Sequence, residues 1–292
     1  MKISKSEDGL TYFIKSEGFS YGDFNKAAKV DVWRLVKHFE FSRAMIVRLS
    51  LRRDFQIDSG LSFFLSYQTL EISPDFYDRA DVSFPWCMKI KISYVGKTSF
   101  WFNAATCCQK TGKILAQNFC QAVRVSLASR RPIELPAKGA DKYIASTSKN
   151  PPQRFTFPQI TPRREQSFTY TTKALPSDTD SNIHVNQSVC FRYCHDGASL
   201  AALQGNIFSK FSQDFAYYNV KTFSVEYVGE MNAGDDIDVQ CWEDDKNQCV
   251  LYFIISVRDK VACRCQGEWY TNPDGDILSM KGKLNICLNA NL

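Results

Sequence analysis

Two stretches of this chain read as the same supersecondary unit, and a unit that recurs has to bury its apolar face in the same way each time. Each opens with an extended segment, Thr11 to Lys15 and Phe168 to Lys173, and then a polar turn. The turn is Gly22-Asp23-Phe24-Asn25-Lys26-Ala27 in the first half and Thr179-Asp180-Ser181-Asn182-Ile183-His184 in the second, with Asp23 and Asn25 standing 157 residues before Asp180 and Asn182. A helix is predicted after each turn. Val32, Trp33, Val36 and Phe39 recur at three- and four-residue spacing, and Val185 to Leu203 is apolar over much of its circumference, as a buried helix is. Alternating residues then predict strands, with Ile90, Ile92 and Tyr94 in one half and Phe223, Val225 and Tyr227 in the other. Tyr94-Val95-Gly96-Lys97 matches Tyr227-Val228-Gly229-Glu230 at an offset of 133, so 24 additional residues are expected in the first half, within segment 52–81. Further strands are expected on either side of Lys110-Thr111-Gly112-Lys113 and of Asp244-Asp245-Lys246-Asn247. A strand, a long helix and an antiparallel meander, occurring twice, make an α+β fold.

A length of 292 residues exceeds one ordinary core, which agrees with two units. Proline marks the boundary: six of the ten lie between Ser129 and Glu165. That stretch holds eight Lys or Arg against three Asp or Glu, so its excess of +5 equals the net charge of the whole chain. Proline without hydrophobic periodicity predicts an extended linker. The expected division is a first repeat at 8–128, a basic linker at 129–165, a second repeat at 166–272 and a tail at 273–292. A basic linker suits an acidic partner, but no nucleic-acid module surrounds it, because the aromatics lie within strand patterns.

No apolar run approaches the roughly 18 residues that a membrane helix needs. Met1 to Asp8 is polar and mixed in charge, unlike an export signal, so a cytoplasmic protein with no membrane span is expected. Eleven cysteines at irregular spacing are expected to be reduced and buried. Cys263 and Cys265, or Cys190, Cys194 and His195, lack a second pair at zinc-site spacing, and no metal or cofactor is expected.

The segment Asp180-Ser181-Asn182-Ile183-His184-Val185-Asn186 resembles the Asp-x-Asn-x-His-Val-Asn signature of hotdog-fold acyl thioesterases, above all the acyl-acyl-carrier-protein thioesterases. In that family a strand reading Glu-Tyr-x-x-Glu follows, as Glu226-Tyr227-Val228-Gly229-Glu230 does here. The resemblance implies a double hotdog, two antiparallel sheets each wrapping a long central helix, the halves forming an intramolecular pseudo-dimer that could pair into a homo-oligomer. It also implies a catalytic network of Asp180, Asn182, His184 and Glu230. Met231 stands where some members carry Cys after that Glu, which excludes a thiol nucleophile there; Gln187 replaces a second Asn, and Asp196 stands where the helix often carries Glu. In the first half, Ala27 is matched to His184 and Lys97 to Glu230, so one active site per chain is expected, in the second half.

The chemistry of these residue types fits. Thioester hydrolysis needs an activated water or a carboxylate nucleophile, and donors for the oxyanion. Asp180 or Glu230 supplies a carboxylate, His184 carries the proton, and Asn182 orients water or carbonyl. Backbone N–H groups of Val185 and Asn186, at the start of the helix, are candidate oxyanion donors. The acyl chain would lie between helix and meander, on coenzyme A or on an acidic acyl carrier protein that suits the basic linker. Taken singly, Asp180 reads as a turn residue, Glu230 as a solvated strand end, and His38 and His195 as surface or helix-face residues. Two other readings stand beside hydrolysis: a degenerate hotdog that binds an acyl ligand or a protein partner, and, more weakly, an enoyl thioester hydratase, whose His spacing this chain lacks.

Overall fold

A computed structural model describes residues 2–79, 84–158 and 167–270. Among the described residues the chain forms two compact units: the first gathers 2–20, 34–79, 84–156 and Ser224–Tyr227, the second 21–33, 157–158, 167–223 and 228–270.

The first unit contains β1 (Lys2–Lys5), β2 (Thr11–Ser16), β3 (Leu61–Ile72), β4 (Trp86–Val95), β5 (Ser99–Cys108) and β6 (Ile114–Ser126), in the order β1-β2-β4-β5-β6-β3. The central strand β5 is buried at nearly every position, Phe100, Trp101 and Phe102 included, so both of its faces are covered. Helix α1 (Val32–Ile46) buries Leu35, Val36, Phe39 and Ile46, an i, i+4 stripe broken by one charge. That charge, Arg43, is buried and donates to Asn118 Oδ1 at 2.5 Å. A π-helical turn, Val47–Leu51, leads into the short α2 (Arg52–Asp54), and α3 (Pro74–Arg79) follows β3.

The second unit contains β7 (Ser167–Lys173), α5 (Gln187–Gln204), β8 (Val220–Tyr227), β9 (Asp236–Glu243), β10 (Val250–Val257) and β11 (Lys260–Trp269), in the order β8-β11-β10-β9-β7. Helix α5 lies on β9, β7 and β10 and buries Val189, Phe191, Tyr193, Cys194, Ala198 and Ala201. Gly197 permits the close approach, since a Cβ there would meet Val239 Cγ1 at 3.3 Å. Fully burying each large apolar side chain of such a helix stabilises the fold by about 1.5–3 kcal/mol. The free thiols of Cys190 and Cys263 share a hydrogen bond at 3.6 Å, and Cys194, Cys241 and Cys265 are buried as well.

The orders β2-β4-β5-β6-β3 and β7-β9-β10-β11-β8 are the same topology. This corrects the offset-133 match. β8 is the counterpart of β3, and segment 52–81 contains that counterpart rather than an insertion. The ends of the two strands agree as well: Ser73 N–H donates to the Leu115 carbonyl of β6, and Val228 N–H to the Ala262 carbonyl of β11, each at 2.8 Å. Lys97, which follows β4, is therefore no equivalent of Glu230; it pairs on the surface with Glu134 at 2.7 Å. Two separate sheets were expected, whereas hydrogen bonding gives one series of eleven strands. Within the first unit, which includes Ser224–Tyr227 of the strand 220–227, the Ser224 and Thr69 hydroxyls meet at 2.8 Å.

The linker expectation also needs correction. Residues 137–144 form α4 (Ala137–Ile144), whose Gly139, Ala140 and Tyr143 are buried. Pro136 precedes the helix and its carbonyl accepts the N–H groups of Gly139 and Ala140, so proline here starts a helix instead of extending a spacer. The Tyr143 hydroxyl and Lys142 Nζ both donate to Asp54 Oδ2 at 2.6 Å. Residues 159–165 of the expected linker and the expected tail at 273–292 lie outside the described residues. Among the described residues no helix is long and apolar enough to cross a membrane.

Candidate active site

The turn between β7 and α5 is held by its own backbone. Residues Pro176–Asp178 form a 3-10 turn, after which Asp180 Oδ1 accepts the Asn182 N–H at 2.7 Å, the Asx geometry that Asp favours. Ile183 N–H donates to the Asp180 carbonyl at 3.0 Å, and Asp180 N–H to the His184 carbonyl at 2.9 Å. Asn186 caps α5, its Oδ1 accepting the Ser188 N–H at 2.9 Å and the Ser188 hydroxyl at 2.6 Å. Val185 N–H reaches across to the Met231 carbonyl at 2.8 Å. That last bond ties the turn to the loop after β8 and brings Glu230 to His184. His184 Nε2 and Glu230 Oε2 lie 3.4 Å apart, with the imidazole 17% and the carboxylate 41% exposed. Asp180 is half-buried and Asn182 exposed at the tip of the turn.

The structure thus brings His184 and Glu230 together and keeps Asp180 and Asn182 in the same turn. The N–H groups of Val185 and Asn186, the expected oxyanion donors, are engaged elsewhere in this structure. Both N–H groups are already bonded, to the carbonyls of Met231 and Asp178. An amide that ties the turn in place cannot also meet a substrate oxygen without releasing that tie.

One residue that sequence reasoning passed over anchors this arrangement. Asp178 is 2% exposed and accepts from Leu175 N–H at 3.0 Å, Arg192 Nη2 at 2.7 Å and the Tyr193 hydroxyl at 2.9 Å. Burial alone would raise its carboxyl, but the Leu175 N–H, Arg192 and Tyr193 outweigh burial and hold it below the usual carboxylate range. Its signal in the sequence was faint: an Asp two residues before Asp180, with Arg-Tyr one helical turn into α5.

Ile183 has φ 68°, the left-handed region, and is 76% exposed. For a β-branched residue that conformation costs roughly 1–3 kcal/mol.

The first half repeats this turn at an offset of 155 residues, not 157. Asn25 N–H donates to the Lys29 carbonyl at 2.8 Å, Ala28 N–H to the Asn25 carbonyl at 2.9 Å, Asp31 N–H to the Asp23 carbonyl at 2.8 Å, and Ala27 N–H to Asn25 Oδ1 at 2.9 Å. These are the bonds of Asp180, Ile183, Asn186 and Asn182 in turn. The position of His184 is therefore taken by Lys29, not Ala27, and that of Ile183 by Ala28, whose φ is 55°. Lys29 is 4% exposed and donates from Nζ to Asn219 Oδ1 at 2.5 Å and the Tyr217 carbonyl at 3.2 Å. His195 and Asp196 line a separate open cleft of about 480 Å³ with Asn25, Lys26 and Asp214, and Lys26 is paired with Asp214.

No family model matches the sequence, and no curated protein matches it. Solved structures do. An acyl-ACP thioesterase from Bacteroides thetaiotaomicron superposes with a TM-score of 0.68 at 16% identity, covering 91% of this chain and 100% of that one. A 12:0-ACP thioesterase from Umbellularia californica superposes with a TM-score of 0.72 at 13% identity, covering 90% and 98%. At these identities the likeness shows a shared fold over nearly the whole of both chains, the hotdog fold that the turn motif implied.

Proposed function

We propose that this chain, which shares its fold with acyl-ACP thioesterases, hydrolyses acyl thioesters at His184 and Glu230 to a free acid and a thiol. The observation that carries the reading is the His184–Glu230 approach at 3.4 Å, beside a turn that ends in the exposed amide of Asn182. Asp180, with Oδ1 engaged by the Asn182 N–H, acts as the positioning carboxylate, and Glu230 is the carboxylate facing the imidazole. Together His184 and Glu230 take a proton from water as its oxygen bonds to the thioester carbon. With Val185 and Asn186 already bonded, the oxyanion falls to the Asn182 side chain. The C–S bond then breaks, and the proton held by His184 passes to the departing thiolate. The first repeat, with a buried lysine at the histidine position, completes the fold without chemistry of its own. Each helix is read as the centre of its half of the sheet. The carrier is read as an acyl carrier protein or coenzyme A, the basic residues of 129–165 favouring the acidic protein, and the role as one in cytoplasmic lipid metabolism.

The test is thiol release from acyl-CoA and acyl-carrier-protein substrates of several chain lengths, with His184→Ala and Glu230→Ala beside wild type. Turnover that both substitutions reduce by about a hundredfold supports the reading. No release by wild type at any chain length, or release that survives both substitutions, overturns it.

A further inference from the structure

Glu230 sits on the loop between β8 and β9, and that loop is fastened along its length. At its start, Val228 and Gly229 N–H both donate to the Ala262 carbonyl, at 2.8 and 3.0 Å. In its middle the Met231 carbonyl accepts the Val185 N–H, and Asn232 forms a lone antiparallel bridge with His184. At its end Gly234 N–H donates to the Ala174 carbonyl at 2.7 Å, and Ala174 N–H to the Asp235 carbonyl at 2.9 Å. Backbone alone closes the turn from Asn232 to Asp235, through the Asp235 N–H to Asn232 carbonyl bond at 3.2 Å. The Asp235 carboxylate adds a bond in the opposite sense, its Oδ2 accepting the Asn232 N–H at 2.8 Å. That side chain is 9% exposed, and its Oδ1 accepts from Arg258 Nη2 at 3.1 Å. An ionised acceptor makes the stronger bond, and this one falls on the residue that bridges to His184. In the first unit β3, the counterpart of β8, is followed by α3 instead. The loop and its carboxylate accompany the turn that holds a histidine.

Glu230 stands two residues before Asn232, and its carboxylate meets the imidazole at 3.4 Å. Proton transfer across such a pair depends on placement, and a shift of about 1 Å is enough to cost roughly a hundredfold in rate. We propose that Asp235 is a positioning residue for the His184–Glu230 pair, acting through Asn232, with Arg258 holding the carboxylate in place. The inference rests on the hydrolase reading and adds to it the group that keeps the two proton-handling side chains in register.

The test measures thiol release per folded molecule for Asp235→Ala, Asp235→Asn and Arg258→Ala, each alone and in a Glu230→Ala background. Asp235→Ala is expected to lower kcat about tenfold and to leave KM within about twofold. Asp235→Asn keeps an oxygen that accepts the Asn232 N–H, and should recover most of that loss. In the Glu230→Ala background, Asp235→Ala should cost less than about twofold, because the group it positions is already gone. A carboxylate that only supports the fold would lower both backgrounds by the same factor. That outcome, an unchanged kcat, a loss carried by KM, or an asparagine variant no better than alanine would overturn the inference and leave the hydrolase intact. Arg258 is 84% exposed, so its removal spares the core. If Asp235→Ala does not fold, Arg258→Ala decides, with an expected fall in kcat of about threefold that the Glu230→Ala background abolishes. No fall, or an equal fall in both backgrounds, would overturn the inference. Wild type that releases thiol from neither acyl-CoA nor acyl carrier protein would remove the hydrolase reading, and this inference with it.

Discussion

Lys29 and His184 occupy the same step of two turns built on one hydrogen-bond pattern. In the first turn the side chain is a buried ammonium bonded to Asn219 and Tyr217, and in the second an imidazole facing Glu230. The backbone is thus indifferent to which residue stands there, and the difference between the turns is one of chemistry.

Replacing Lys29 by Met should therefore cost stability and not turnover. The Asn219 amide oxygen and the Tyr217 carbonyl would lose a charged donor, a loss of about 2–3 kcal/mol. Urea unfolding read beside thiol release per folded molecule checks this; a fall in turnover with stability unchanged would contradict it.

His184 and Glu230 should act as one unit. Each of His184→Ala and Glu230→Gln is expected to lower kcat about a hundredfold, and the double variant should lose little more than either single. Losses that multiply in the double variant would mean that the two side chains act independently.

Asp178 should be an acid-sensitive anchor. Asp178→Asn removes the charge that Arg192 and Tyr193 bond to, at a cost of about 3 kcal/mol near neutral pH. Because its folded pKa lies below the ordinary 3.8, its contribution is present above that value and is lost as pH falls through the folded pKa. Wild type should then lose stability below pH 4 more steeply than the variant, and parallel stability curves in acid would refute this.

Gly139 should tolerate no side chain. An added Cβ would lie 1.8 Å from the Asp54 carbonyl oxygen, so α4 would have to lift away and break the Tyr143 and Lys142 bonds to Asp54. Gly139→Ala is expected to destabilise the first unit by about 3 kcal/mol and to open residues 137–144 to hydrogen exchange. Unchanged protection across α4 would count against that packing.

The sequence alone determined whatever depends on neighbours along the chain. Extended and period-3.6 patterns placed β2, β7, α1 and α5, and the Asp180 to Asn186 run announced a polar turn with a helix directly after it, because those bonds close within a few residues. The matching of the halves was a different matter. Tyr94-Val95-Gly96 and Tyr227-Val228-Gly229 look alike because both end strands, yet strand order pairs β3 with β8; likewise Asp-x-Asn at 23 and 180 matched letters where the N–H to carbonyl pattern sits two residues away. Proline at 136 read as a spacer because the surface that α4 covers, around Asp54, is distant in sequence. The tertiary structure alone decided that Val185 N–H is bonded to Met231, that His184 meets Glu230, and that Lys29 and not Ala27 stands at the histidine position. Each of these turns on which partner a polar group finds across the fold, and a buried N–H, carbonyl or ammonium takes the partner that folding brings to it.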